Sequence, residues 1–186
     1  MLDHWRAGGF GLYVHWPFCE SKCPYCDFNS HVVRRIDHDA WREAYVKEIK
    51  RVASMTGRRV LNSIFFGGGT PSLMNATTVS AVIETATQCW TPANDIEITL
   101  EANPGSVEVE RFKEYALAGV NRVSLGIQAL NDNDLKRLGR LHSKNDACAA
   151  LDVAQNTFSR VSFDLIYARQ DQSLEAWERE LEHALS

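Results

Sequence analysis

The 186-residue chain has no uninterrupted apolar run of about 18 residues, so nothing in it reads as a transmembrane helix. Met1 to Phe10 contains Asp3, His4, Arg6 and two glycines and no apolar h-region. A secretory signal is therefore not expected, and a cytoplasmic location is. Basic residues are not in excess. The formal charge is −4, which argues against nucleic acid as the main ligand. Low-complexity tracts, short-period repeats and long linkers are also missing, so one domain over residues 1–186 is the expectation. An even, dispersed cysteine set is missing as well. The five cysteines are an odd number, and three fall within eight residues (Cys19, Cys23, Cys26), which excludes a disulfide scaffold and points to metal.

What is present is ordinary globular material, 45% hydrophobic and 24% charged. Short β-rich runs alternate with helical patterns. Strands are expected at Gly11–Trp16, Asn62–Phe66, Ile96–Glu101, Arg122–Gln128 and Val161–Tyr167. Helices are expected at Asp39–Met55, Ala76–Cys89 (capped by Asn75), Val107–Ala118, Asn131–Leu138, Lys144–Thr157 and Leu174–Leu185. Ser106 is a candidate cap for the third of these, and Gly119 its terminator. Ser143 and Asp146 form a capping-box-like pair. Five βα units imply an α/β fold with a parallel sheet, too short for a closed eight-stranded barrel of about 250 residues. The expected shape is an open partial (β/α) barrel. A last strand left as an edge suggests a piece of a longer protein.

The strongest signal is Tyr13-Val-His-Trp-Pro-Phe-Cys19-Glu-Ser-Lys-Cys23-Pro-Tyr-Cys26-Asp-Phe28, directly after the first strand. In a parallel βα fold that loop lies at the carboxyl edge of the sheet, where active sites collect. Three thiolates there could hold a [4Fe–4S] cubane with one iron open to an external ligand. They could instead hold structural zinc, with His15 or His31 as fourth ligand, or simply be buried and inert. Cys89 and Cys148 fall in helical patterns and read as core residues.

The Cys-x3-Cys-x2-Cys loop resembles the signature of the radical S-adenosylmethionine (SAM) superfamily. Phe66-Gly-Gly-Gly-Thr-Pro-Ser72, Leu100-Glu-Ala-Asn-Pro-Gly105, Val120-Asn-Arg-Val-Ser-Leu-Gly-Ile-Gln128 and Phe163-Asp-Leu-Ile-Tyr167 resemble its heme-related branch. That branch holds oxygen-independent coproporphyrinogen III dehydrogenases and HemW-type heme chaperones. The resemblance implies a partial TIM-like barrel with about five of six βα units present. It also implies a [4Fe–4S] cluster on Cys19, Cys23 and Cys26, and SAM chelating the open iron. By the same resemblance Tyr13, Tyr25, Gly68, Gly69, Thr70, Glu101, Gln128, Arg140 and Asp164 line the SAM site. Taken singly these residues have plainer readings. The glycines suit any tight strand-to-helix turn, Glu101 a solvated strand end, Tyr25 simple packing, and Asp164 a structural ion pair.

Within the branch, dehydrogenases carry a fourth cysteine two residues after the third and a longer N-terminal extension. Here Phe28 stands in that place, and twelve residues precede Tyr13. Both departures imply a heme chaperone with recipient hemoproteins as partners, rather than a decarboxylating dehydrogenase. The branch's C-terminal His-Asn-x-x-Tyr-Trp string does not occur, so heme delivery is expected of a longer parent chain. The segment Ala168-Arg-Gln-Asp-Gln-Ser173 departs from the branch's Gly/Pro turn. Residues 1–60 carry +3 and residues 61–186 carry −7. Arg42, Lys47, Lys50, Arg51, Arg58 and Arg59 thus suggest a dock for an acidic, flavodoxin-type electron donor.

Overall fold

A computed structural model describes residues 8–105 and 109–185. Its core is a five-stranded, all-parallel sheet in the order β1-β4-β5-β6-β7. The strands are β1 (Gly11–Trp16), β4 (Val60–Gly68), β5 (Thr91–Ala102), β6 (Arg122–Gln128) and β7 (Arg160–Leu165). Two short strands, β2 (Phe18–Cys19) and β3 (His31–Val32), bracket the cysteine loop and pair with each other. The helices are α1 (His38–Thr56), α2 (Ala76–Cys89), α3 (Phe112–Leu117), α4 (Asp132–Arg137), α5 (Lys144–Thr157) and α6 (Leu174–Leu185).

Alternation along each strand decides which side of the sheet a residue serves. Val14, Trp16, Ile64, Phe66, Ile98, Leu100, Val123, Leu125 and Ile127 are buried. They form one core with Val79, Val82, Ile83 and Ala86 of α2 and Ala147, Ala150 and Ala154 of α5. Each fully buried Leu, Ile or Phe contributes about 1.5–3 kcal/mol. The intervening residues form the concave face, and the strand register stacks them in rows. Tyr13, Phe65, Thr99, Arg122 and Arg160 make one row; nearer the strand carboxyl ends His15 pairs with Gly67, and Glu101 with Ser124 and Ser162.

Local chemistry sets the helix ends. Asp37 Oδ1 accepts from the Ala40 amide (3.0 Å) and starts α1. Ser143 and Asp146 close the expected capping box on α5. Asn75 occupies the cap position of α2 without a side-chain bond. Gly119, at φ +108°, ends α3 where a left-handed residue is required. The expected Ser106 cap and the start of the Val107–Ala118 helix fall on residues 106–108, outside the described residues. Among the described residues no helix is long and apolar enough to cross a membrane.

Candidate functional site

At the carboxyl edge of the sheet lies a cavity of about 380 Å³. Its wall contains Cys19, Cys23 and Cys26 from the loop after β1, Gly68–Thr70 from the end of β4, and Glu101 from β5. Gln128 of β6, Arg140 after α4 and Asp164 of β7 complete it, with Tyr25 beside the thiols. Residues spread over more than 140 positions of sequence therefore meet at one place. Tyr13 is the exception among the expected residues. It sits one row below, 58% exposed, stacked on Phe65 (6.2 Å) with its hydroxyl 3.3 Å from His15 Nδ1.

The cysteine loop is held from both sides. Lys22 Nζ donates to the Phe28 carbonyl (3.1 Å) and to the Ser30 carbonyl (3.3 Å), closing the loop across its mouth. His15 Nε2 meets the Asn29 carbonyl at 2.9 Å. The Gly69 amide donates to the Trp16 carbonyl (2.6 Å) and the Thr70 amide to the Phe18 carbonyl (2.8 Å). The triple glycine thus does more than turn the chain. A Cβ on Gly69 would lie 2.5 Å from the Phe18 carbonyl oxygen and 3.0 Å from Cys19 Sγ, and Gly68 is held at φ +114°. The backbone of β4 packs directly on the loop that carries the thiols.

The three thiols are free, half-buried and face one cavity. Arg140 Nη1 lies 3.5 Å from Cys23 Sγ, while Nη2 donates to Asn103 Oδ1 and to the Gly126 carbonyl (2.9 Å). Among the described residues no three or more His, Cys, Asp or Glu side chains are already gathered closely enough to hold a metal ion. Both ring nitrogens of His15 already face partners within the chain. Three thiols arrayed around a cavity, with a guanidinium beside one of them, fit a multi-iron cluster held by thiolates.

The cavity also has a charge pattern. Burial pushes the Glu101 carboxyl up from its usual range, the Gly68 amide opposes that, and neighbouring Asp164 adds to it. Burial pushes the Tyr25 hydroxyl up to about 12, with Arg140 pulling the other way and Cys23 adding to the rise. Glu101 is therefore an acid whose folded-state pKa exceeds its unfolded one. Its stabilising contribution is full below the unfolded value and is lost as pH rises through the folded value. Glu101→Gln should accordingly melt higher than the parent at neutral pH, with the gap closing in acid. A melting curve series against pH checks this, and a parent more stable than the variant at pH 7 contradicts it.

Asn103, which Arg140 and Thr70 both engage, Ser124 and Gly126 also line the cavity. Asn103 was in view within Leu100-Glu-Ala-Asn-Pro-Gly105. Lys22 had no signal, because a lysine in a polar loop reads as solvated. The basic residues on and just after α1 are partly engaged within the chain. Arg42 pairs with Asp39 (2.8 Å), Arg51 with Glu48 (2.6 Å), and Arg59 covers the Phe10 ring.

A parallel α/β partial barrel with a three-thiol loop over the carboxyl edge defines a cluster-binding class of protein. The Radical SAM superfamily model matches residues 13–184, and the chain belongs to that superfamily. Radical S-adenosyl methionine domain-containing protein 1, mitochondrial, of Bos taurus is 45% identical over 94% of this chain and 40% of its own length. Heme chaperone HemW of Escherichia coli is 41% identical over 88% of this chain and 44% of its own. Among solved structures, coproporphyrinogen III oxidase (HemN) from Escherichia coli, a radical SAM enzyme, superposes with TM-score 0.82 at 28% identity. That match covers 94% of this chain and 41% of the other. The chain spans about two fifths of the length of the curated relatives it matches. The name of the bovine relative places that protein in mitochondria.

Proposed function

We propose that the chain is the radical SAM portion of a HemW-type heme chaperone. The observation that carries this is the single cavity shared by Cys19, Cys23 and Cys26 with Gly68–Thr70, Glu101, Gln128, Arg140 and Asp164. Cys19, Cys23 and Cys26 would hold the [4Fe–4S] cluster. When bound, the reduced cluster and SAM together supply a one-electron cleavage of the sulfonium C–S bond.

The remaining roles belong to the chain. Glu101 and Asp164, two carboxylates crowded at the cavity wall, favour a ligand carrying a cationic or hydroxyl-rich face. The SAM ammonium and ribose meet that description. Arg140 sits where it balances thiolate charge and can pair with a ligand carboxylate. Gly68 and Gly69 let the β4 backbone come close without a side chain intervening. Tyr25 stays a protonated hydrogen-bond donor, and the three thiols are themselves half-buried.

Heme delivery in preference to porphyrinogen oxidation rests on Phe28. It stands where the dehydrogenases of the branch carry a fourth cysteine, and it is 54% exposed at the cavity rim. The full-length protein, reconstituted without oxygen, should bind heme near one equivalent and leave coproporphyrinogen III unchanged. Turnover of coproporphyrinogen III, or no heme binding, would overturn the chaperone reading.

A further inference from the structure

Arg169 belongs to the segment Ala168–Ser173 that departs from the branch's turn, and nothing in the proposed function uses it. Its side chain is 5% exposed, in contact with Glu180 (6% exposed) and Asp134 (2.9 Å). Arg169 Nη1 donates to the Ile166 carbonyl (2.6 Å) and the Gln128 carbonyl (3.4 Å). The Ile166 amide donates to the same Gln128 carbonyl (2.9 Å), and Glu180 Oε1 accepts from the Leu130 amide (2.6 Å). Gln172 Nε2 reaches Glu180 as well (3.4 Å). One cation and two acids therefore tie the end of β6, the turn after β7, α4 and α6 together.

The tied backbone is unusual. Gln128 has φ +74°, and Ala168 and Asp171, on either side of Arg169, have φ +55° and +60°. None is glycine, so each is held against its own preference. The β6–β7 register also breaks between Leu125 and Gln128. At this break Gln128 turns into the cavity wall, close enough to Gly126 that a Cβ there would meet its Nε2 at 2.9 Å. Arg140 grips the Gly126 carbonyl from the cavity side; Arg169 grips the Gln128 carbonyl from behind.

We propose that Arg169, with Glu180, is a positioning residue for the ligand site. It holds Gln128 in its left-handed conformation so that the side chain faces SAM. The inference rests on the SAM-site reading above. Removing Arg169 alone leaves two acids without their cation, so the informative variant is the double substitution Arg169→Met with Glu180→Gln, which removes charge from both sides.

In this double variant, deuterium exchange should quicken in peptides covering 126–131 and 163–168. SAM affinity, followed by the change SAM causes in the EPR signal of the reduced cluster, should weaken about tenfold, as for other directly coupled groups. In a Gln128→Ala background the same double substitution should cost no further affinity. Exchange that quickens with unchanged affinity, or a loss of equal size in the Gln128→Ala background, overturns the positioning role. If the parent protein shows no EPR response to SAM, the cofactor reading fails. The exchange measurement then stands alone, and unchanged exchange at 163–168 overturns the clasp itself.

Discussion

Replacing any one of Cys19, Cys23 or Cys26 with alanine should reduce reconstituted iron from about four per chain to a small remainder and abolish the cluster's visible absorption band. Each thiol faces the same cavity, and the loop offers no fourth thiol to replace one. Neither Cys89 nor Cys148 lines the cavity, and His15 is engaged on both nitrogens. Alanine at Cys89 or Cys148 should leave iron content unchanged. The fold should survive all five substitutions: Cys89 only flanks the core, Cys148 is exposed rather than the core residue its helical position suggested, and the loop thiols lie outside the core of Trp16, Ile64, Phe66 and Leu100. Iron and sulfide analysis beside far-ultraviolet circular dichroism checks this. Full iron loading in a Cys23→Ala protein would contradict it.

The second large effect is expected at Gly69→Ala. Its methyl would lie 2.5 Å from the Phe18 carbonyl oxygen and 2.9 Å from the carbonyl carbon, and both belong to backbone that cannot rotate away. The β2 segment must move, breaking the bond from the Thr70 amide to the Phe18 carbonyl and displacing Cys19. Overpacking of this kind costs about 1–3 kcal/mol. Cluster loading should fall with it. Gly57→Ala, at the end of α1, meets no atom within 4 Å and strains only its own φ of +67°. It should lower stability without touching iron content. Equal iron loading in the Gly69→Ala and parent proteins would contradict the close-approach argument.

Much of the fold was legible in particular residues. Val14 and Trp16 or Val123, Leu125 and Ile127 alternate with polar neighbours, which marks strands whose outer faces meet helices. The Ser143–Asp146 pair marked its helix start to the residue. Other features were hidden. β5 begins at Thr91, five residues ahead of the apolar run at Ile96, because Thr91 and Pro92 add to the sheet through backbone pairing with Val60 and Leu61. β7 ends at Leu165 rather than Tyr167, where Ile166 turns to bond Gln128. The two-residue strands β2 and β3 are too short to leave a periodic trace.

The site was legible only through motifs. Spacing exposes the cysteine trio, but nothing in a lone Glu101, Arg140 or Asp164 says that they share a wall with it. The parallel sheet brings together the strands that carry Glu101 and Asp164, and the turn after α4 adds Arg140. Arg169 escaped because its partners, Asp134 and Glu180, lie 35 and 11 residues away and each reads as a surface acid.

On the proposed function, Cys19, Cys23 and Cys26 would hold a [4Fe–4S] cluster beside the cavity that Glu101, Gln128, Arg140 and Asp164 line. Mössbauer spectroscopy of oxygen-free protein loaded with iron-57, recorded with and without SAM, tests it most directly. The expected result is a four-iron spectrum in which about one quarter of the signal shifts when SAM is added. A spectrum of other stoichiometry, or one in which no site responds to SAM, would contradict it.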